Sequence, residues 1–218
     1  MTPMNRAAWV LGLAGLATLA GGTAFSADAA LDARMAAMMK DSFRDQGIAK
    51  VDRLVQDLAN DACSKAAGGD LPPALAKQVE ADNLKTVKPP SDGRFLGDWR
   101  RGERIAQSGR GMTWSDKSTK AADNGGNCYN CHKISEAEIS YGTIGPSLHQ
   151  YGKLRGVTDP NSPAARPIIE YTWGKLYNAR AYSACSSMPR FGHTGVLDEA
   201  QLKDLMALLL DPQSPVNR

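Results

Sequence analysis

The sequence predicts an all-α protein, and two observations support this fold class. Residues 198–210 (DEAQLKDLMALLL) and 164–177 (AARPIIEYTWGKLY) each repeat apolar residues at spacings of three and four, which places those residues on one face of a helix. No segment shows the alternation of apolar and polar residues that is typical of a half-buried strand. The composition, with 42% hydrophobic and 22% charged residues, is that of an ordinary globular protein.

The first 27 residues are predicted to be a cleaved signal peptide. Arg6 supplies a positive charge, and an apolar run of signal-peptide length follows over residues 7–20. This run is shorter than the roughly 20 residues that a membrane-spanning helix needs, so we expect cleavage near Ala27 or Ala29 and no membrane association afterwards. The net charge of +3 is too small to indicate a nucleic-acid partner.

Residues 28–93 are predicted to form a small helical extension. Apolar residues at helical spacing predict helix over 30–66, with an interruption at Gln46 and Gly47, and a further helix from Pro72 to about residue 84. The composition of 85–93 (KTVKPPSDG) is typical of a linker. Three short helices bury little surface alone, so we expect the extension to pack on the following domain or on a partner.

Residues 94–218 are predicted to form the second domain. Its opening helix spans 97–107, with Asp98 as a plausible N-cap. Gly102 has no side chain, so we expect the closing helix at 198–210 to cross the opening helix there.

The motif that organises this domain is Cys128-Tyr129-Asn130-Cys131-His132. C-x-x-C-H is the attachment signature of a c-type haem, in which each thiol forms a thioether and the histidine becomes the proximal iron ligand. A redox dithiol would sit in a βαβ context, and a zinc site would need two more ligands at short spacing. We therefore predict one covalently bound haem c in an exported protein, which indicates a bacterial periplasm.

Five features follow one another in this domain: an opening helix, C-x-x-C-H, Gly145-Pro146-Ser147-Leu148, Met188-Pro189 and a closing helix. This order of motifs resembles that of the class I cytochrome c family. The resemblance implies that the Pro146 carbonyl accepts a hydrogen bond from Nδ1–H of His132, which orients the imidazole ring.

Met188 is predicted to be the second axial ligand of the iron. It stands before a proline on a loop, and methionine is a common partner of histidine in cytochromes c. His149, His193 and Cys185 are the alternatives. A histidine–methionine pair fills both axial positions, so the iron would transfer one electron and bind no substrate. No catalytic residue is therefore predicted in this chain.

A closer resemblance is found in four segments, 97–102, 144–148, 188–192 and 211–217. Together they resemble SoxX, the monohaem cytochrome subunit of the SoxAX complexes of bacterial sulfur oxidation. The likeness covers about residues 97–217. It implies a heterodimer with a SoxA-type cytochrome, in an L-cysteine S-thiosulfotransferase that oxidatively couples thiosulfate to a cysteine of a SoxYZ-type carrier protein. The electrons would pass to a cytochrome c acceptor, with the substrate chemistry on the partner subunit.

Cys63 and Cys185 remain outside the haem motif. Two leftover thiols in an exported protein usually pair, so we predict a disulfide that joins the extension to the loop of Met188. The alternative is two separate buried thiols.

Two other functions use the same sequence features. A free, diffusible class I cytochrome c that carries electrons between periplasmic complexes would need the same haem, although it would need little beyond the haem domain. A peroxidase or gas sensor would need an open iron face instead of ligation by Met188.

Overall fold

The computed structural model describes residues 24–218, with side chains from residue 29 onwards. The predicted signal peptide, 1–27, therefore lies almost entirely outside the described residues. Within the described part of the chain, no helix is both long and apolar enough to cross a membrane.

The described residues are helical and contain no β-strand, in agreement with the all-α prediction. Short 3₁₀ turns and loops connect the helices, and one isolated bridge pairs Gln46 with Ala49. The helices are α1 (Ala24–Ser42), α2 (Leu58–Lys65), α3 (Pro73–Leu84), α4 (Trp99–Gln107), α5 (Tyr151–Leu154), α6 (Arg166–Tyr177) and α7 (Glu199–Leu210).

The chain divides into two compact units after Arg44. In the first unit, α1 carries Lys40 in its last turn, where a cation interacts favourably with the helix dipole. The second unit, 45–218, contains α2 to α7 and every residue of the candidate site.

The predicted helix over 30–66 is interrupted for longer than the sequence indicated. Between α1 and α2 the only helical turn is a 3₁₀ turn at Val51–Leu54. Gly47 has a φ of +54°, and a Cβ there would lie 2.7 Å from the Trp114 carbonyl oxygen. The Asp45 carboxylate accepts the amide hydrogen of Val51 at 3.0 Å. These local interactions end the helical pattern, and Val55, expected on an apolar face, is 79% exposed.

The crossing of α4 and α7 forms the centre of the second unit. Gly102 lies at the contact as predicted, since a Cβ there would be 2.1 Å from the Asp204 carbonyl oxygen. The buried Asp204 carboxylate accepts two hydrogen bonds from Arg101, at 2.7 and 2.8 Å. Asp98 caps α4 through the amide of Arg100, as the sequence indicated.

Helix α7 is buried on nearly all sides. Leu202, Leu205 and Leu208 are each at most 2% exposed, so the predicted single apolar face extends around the helix. Asp198 and Gln201 form a reciprocal capping box at its first turn.

Helix α6 completes the core. Ile169, Trp173 and Leu176 are buried, and the ring of Trp173 packs edge-on against Phe95. Tyr171 of the same helix is 40% exposed and also lines a cavity.

The segment 85–93 is a loop that is attached to the helical core. The indole nitrogen of Trp173 donates to the Lys88 carbonyl oxygen at 2.7 Å, and Lys203 pairs with Asp92 at 2.7 Å. Residues 45–92 therefore belong to the same compact unit as 93–218.

Candidate functional site

A cavity of about 600 Å³ lies among α6, α7 and the loops that precede them. Its walls bring together residues that are far apart in the sequence, namely Cys128, Cys131, His132, Pro146 and Met188. This volume falls within the range of small-molecule and cofactor sites in proteins.

The C-x-x-C-H motif is held by a tight turn. Cys128–Asn130 form one turn of 3₁₀ helix, which Asn127 enters with a φ of +51°. The amides of Cys131 and His132 both donate to the Cys128 carbonyl oxygen, at 3.1 and 2.9 Å. This compact turn presents two free thiols and the imidazole to one cavity.

The imidazole of His132 has one ring nitrogen engaged and one available. Nδ1 lies 2.7 Å from the Pro146 carbonyl oxygen, the contact that the cytochrome resemblance implied. Nε2 has no hydrogen-bond partner among the described residues. Because the bond to the carbonyl requires a proton on Nδ1, the neutral ring keeps a lone pair on Nε2.

Gly145 allows this arrangement by lacking a side chain. A Cβ at this position would lie 2.1 Å from Cε1 of His132. The Gly145 amide also donates to the Cys131 carbonyl oxygen at 2.8 Å, which fixes the 144–148 segment beside the motif. The sequence indicated Gly145 only as part of the Gly145-Pro146-Ser147-Leu148 segment, and the close contact depends on the tertiary structure.

Met188 lines the same cavity as His132 and packs against the main core. The alternative iron ligands that the sequence offered, His149, His193 and Cys185, do not line this cavity. Cys185 is in a disulfide, and His193 lies at a separate cavity of about 250 Å³. His149 is next to Glu136, with Nε2 at 3.5 Å from the carboxylate.

The Cys128 thiol lacks the character of a redox-active cysteine. Burial, together with a smaller effect of the adjacent Cys131, raises the pKa of this thiol to about 12. Reactive cysteines of C-x-x-C oxidoreductases have lowered pKa values, because the thiolate is the nucleophile.

Two cations at the cavity, Arg155 and Lys175, were missed by the sequence reading. Within the described residues neither forms an ion pair with a carboxylate, and the Arg155 guanidinium stacks 3.7 Å from the centre of the Tyr151 ring. Burial lowers the pKa of Lys175, whose ammonium contacts the Ala179 carbonyl oxygen at 3.4 Å. A lone arginine and a lone lysine carry no sequence signal for such a position.

The residues fit a haem by several independent criteria. The cavity wall is mainly apolar, as a porphyrin face requires, and includes Leu148, Phe191 and Leu205. Two free thiols and a histidine with an available Nε2 lie at its surface, together with a thioether sulfur. Unpaired cations at the same cavity suit the carboxylates that a porphyrin carries.

Cys63 and Cys185 form the disulfide that was predicted, with their Cα atoms 5.5 Å apart. It joins α2 to the loop that carries Met188, across 122 residues of sequence.

Comparison of this sequence with known proteins gives one partial match. No family model matches the chain. It is similar to an uncharacterized lipoprotein of Aquifex aeolicus (strain VF5), with 38% identity over 133 residues, or 61% of this chain. The matched region spans 59% of that protein's length, so its overall organisation is not carried over.

Proposed function

We propose that this protein is an exported monohaem c-type cytochrome that transfers electrons. The observation that carries the proposal is that Cys128, Cys131, His132 and Met188 all line the same cavity. A haem bound there would supply an iron that accepts and releases one electron.

The chain's own residues would hold this group in defined ways. The thiols of Cys128 and Cys131 would form the two thioethers, and His132 would bind the iron through Nε2. The Pro146 carbonyl keeps the imidazole in one tautomer and orientation through the 2.7 Å contact with Nδ1. Met188 would be the second protein ligand of the iron, which would leave the iron no free position for a substrate.

The two unpaired cations would interact with the haem propionates. Arg155 and Lys175 line the cavity, and neither forms an ion pair among the described residues, although the Glu80 carboxylate acts on Lys175 from beyond ion-pair distance. A partly buried ammonium is costly without an anion, and a carboxylate would offset that cost.

We further propose that the protein serves as the electron-transfer subunit of a SoxAX-type thiosulfotransferase. The support is the resemblance of 97–102, 144–148, 188–192 and 211–217 to SoxX. The partners would be a SoxA-type cytochrome, a SoxYZ-type carrier and a cytochrome c acceptor. The second candidate is a diffusible cytochrome c, which the same cavity would equally serve.

A periplasmic location fits both candidates. The apolar run at 7–20 favours export, and the similar Aquifex protein bears the name lipoprotein, a class that is exported. The disulfide between Cys63 and Cys185 also suits an oxidising compartment.

The decisive experiment is to express the full chain with a haem c maturation system and to purify the exported protein. We expect the absorption bands of a low-spin, thioether-bound haem, and we expect the exported double variant Cys128→Ser/Cys131→Ser to lack covalent haem. Met188→Ala should abolish the charge-transfer band of methionine-ligated ferric haem and allow carbon monoxide to bind the reduced protein. Met38→Ala, at an exposed site on α1, is the control.

Unchanged bands in Met188→Ala would refute the axial assignment, and a wild-type protein without covalent haem would refute the function. Purification from the native periplasm then separates the candidates. Co-purification of a second haem protein supports the subunit, whereas a monomer supports the diffusible carrier.

A further inference from the structure

We propose that α2 and α3 form a clamp that positions Met188, a role that goes beyond electron transfer itself and rests on the proposed haem function. The clamp consists of residues 57–83, and it holds the loop 183–190, which we call the methionine loop. Methionine is a weak iron ligand, so the geometry of its loop contributes directly to how firmly it can bind.

The methionine loop has few attachments of its own. Within the part of the chain that the structure describes, all hydrogen bonds of residues 185–189 remain inside the loop, such as the one from the Met188 amide to Ser186 Oγ at 3.3 Å. Met188 packs against the core at the cavity. Hydrogen bonds therefore do not fix the position of Met188 relative to the helices.

The disulfide attaches the loop on the N-terminal side of Met188. Cys185, three residues before Met188, is bonded to Cys63 on α2. The neighbouring Ala184 reinforces this attachment, since its amide donates to the Glu80 carboxylate of α3 at 3.2 Å. Ala184 also belongs to a small buried cluster with Ala59 and Val79 of the two helices.

An ion pair attaches the loop on the C-terminal side. Arg190, two residues after Met188, lies 2.6 Å from the Asp57 carboxylate, and its side chain is only 13% exposed. Arg180 also approaches Asp57, at 3.7 Å, and is similarly buried. Asp57 is the N-cap of α2 as well, so the same carboxylate fixes the helix and the loop.

These attachments flank Met188 on both sides along the chain. The covalent and ionic contacts restrict the two ends of the six-residue stretch 185–190, in which Met188 lines the cavity. Loss of the disulfide or of the ion pair would increase the conformational freedom of Met188 and raise the entropic cost of its ligation. The effect should be smaller for the ion pair, because the buried Phe191 and the amides of Gly192 and His193, which donate to the Tyr177 carbonyl oxygen, also hold that end of the loop. We therefore expect the clamp to determine how easily another ligand displaces Met188 from the iron.

The test uses imidazole, which competes with methionine for ferric haem, on the purified holoprotein. Asp57→Asn is the sharper variant, because asparagine preserves the N-cap of α2 and removes only the charge that pairs with Arg190. The matched control is Asp61→Asn, the same change on the same helix in an exposed pair with Lys65. A second variant, Cys63→Ser/Cys185→Ser, removes the disulfide.

Compared with wild type, we expect imidazole to bind about tenfold more tightly to Cys63→Ser/Cys185→Ser and about threefold more tightly to Asp57→Asn. The control Asp61→Asn should bind imidazole with the wild-type affinity. A merely structural role would lower the unfolding temperature of the variants and leave their imidazole affinity at the wild-type value, which would overturn the proposal. If the wild-type protein carries methionine-ligated haem and the variants bind imidazole no better, the clamp fails while the electron-transfer function stands. A wild-type protein without haem would refute both.

Discussion

At the scale of single residues, the position of the His132 ring depends on the absence of a side chain at Gly145. The ring lies so close to Gly145 that a Cβ would be 2.1 Å from Cε1, while Nδ1 contacts the Pro146 carbonyl oxygen at 2.7 Å. Any side chain at 145 must displace the imidazole or the 144–148 segment. The hydrogen bond and the contact with glycine therefore act together to orient one ring.

The corresponding prediction is that Gly145→Ala displaces His132. We expect reduced haem incorporation and a shifted reduction potential, because the ring can no longer keep both its orientation and its bond to Pro146. Haem content per protein and potentiometric titration measure the two effects. Thr143→Ala, an exposed site two residues earlier that does not line the cavity, is the control. Equal haem content and potential in Gly145→Ala and wild type would contradict this explanation.

At the scale of elements, the crossing of α4 and α7 determines how closely the helices pack. At Gly102 a Cβ would be 2.1 Å from the Asp204 carbonyl oxygen and 3.0 Å from Leu208 Cβ. Backbone atoms cannot move aside as the end of a flexible side chain can. We expect Gly102→Ala to lower the free energy of unfolding by roughly 1–3 kcal/mol through overpacking.

Urea denaturation of the holoprotein measures this change, with the exposed Arg104→Ala on the same helix as the control. Unaltered stability in Gly102→Ala would mean that the two helices can separate without cost.

The loop 85–93 is attached to α7 by charge. Lys203 lies 2.7 Å from both Asp92 and Glu199, and Ser91 donates two hydrogen bonds to Glu199. Hydrogen bonds from Lys203 are the main cause of the lowered pKa values of Asp92 and Glu199. A carboxyl group with a lowered pKa in the folded state stabilises the protein above its unfolded pKa and loses that contribution as the pH falls.

We therefore expect wild-type stability to decline with acidification below about pH 4.5, and we expect this decline to be shallower in Lys203→Met. Unfolding temperatures measured between neutral and acidic pH give the two slopes. Lys85→Met, which removes an exposed pair with Asp82, is the control. Parallel slopes for wild type and Lys203→Met would exclude this charge cluster as a source of the pH dependence.

At the scale of the whole molecule, one covalent bond closes a long loop within the unit 45–218. Cys63 and Cys185 are separated by 122 residues, and the restriction of the unfolded chain corresponds to about 4–5 kcal/mol in the chain-entropy model. We expect Cys63→Ser/Cys185→Ser to unfold at a substantially lower denaturant concentration. A midpoint equal to that of wild type would indicate that residues 45–92 are held by noncovalent packing alone.

The helical elements could be predicted where local signals agree. Asp98 and Asp198 cap α4 and α7 as their sequences indicate, and the proline at 73 starts α3. The interruption predicted at Gln46 and Gly47 is present, but the α-helix predicted on either side of it was wrong over 43–45 and 48–57. Spacing alone cannot register the hydrogen bond that the Val51 amide donates to the Asp45 carboxylate. Interactions of the backbone with single side chains override a weak apolar stripe.

Sequence patterns were sufficient to identify the helical class, the C-x-x-C-H motif, the Gly-Pro and Met-Pro segments and the two remaining cysteines, because each of these is a local pattern of residue types. Only the tertiary structure brought Arg155 and Lys175 to the same cavity as His132 and Met188, and Asp57 against Arg190. Contacts between residues tens of positions apart depend on how the helices pack, and a lone charged residue carries no pattern that reveals its partner.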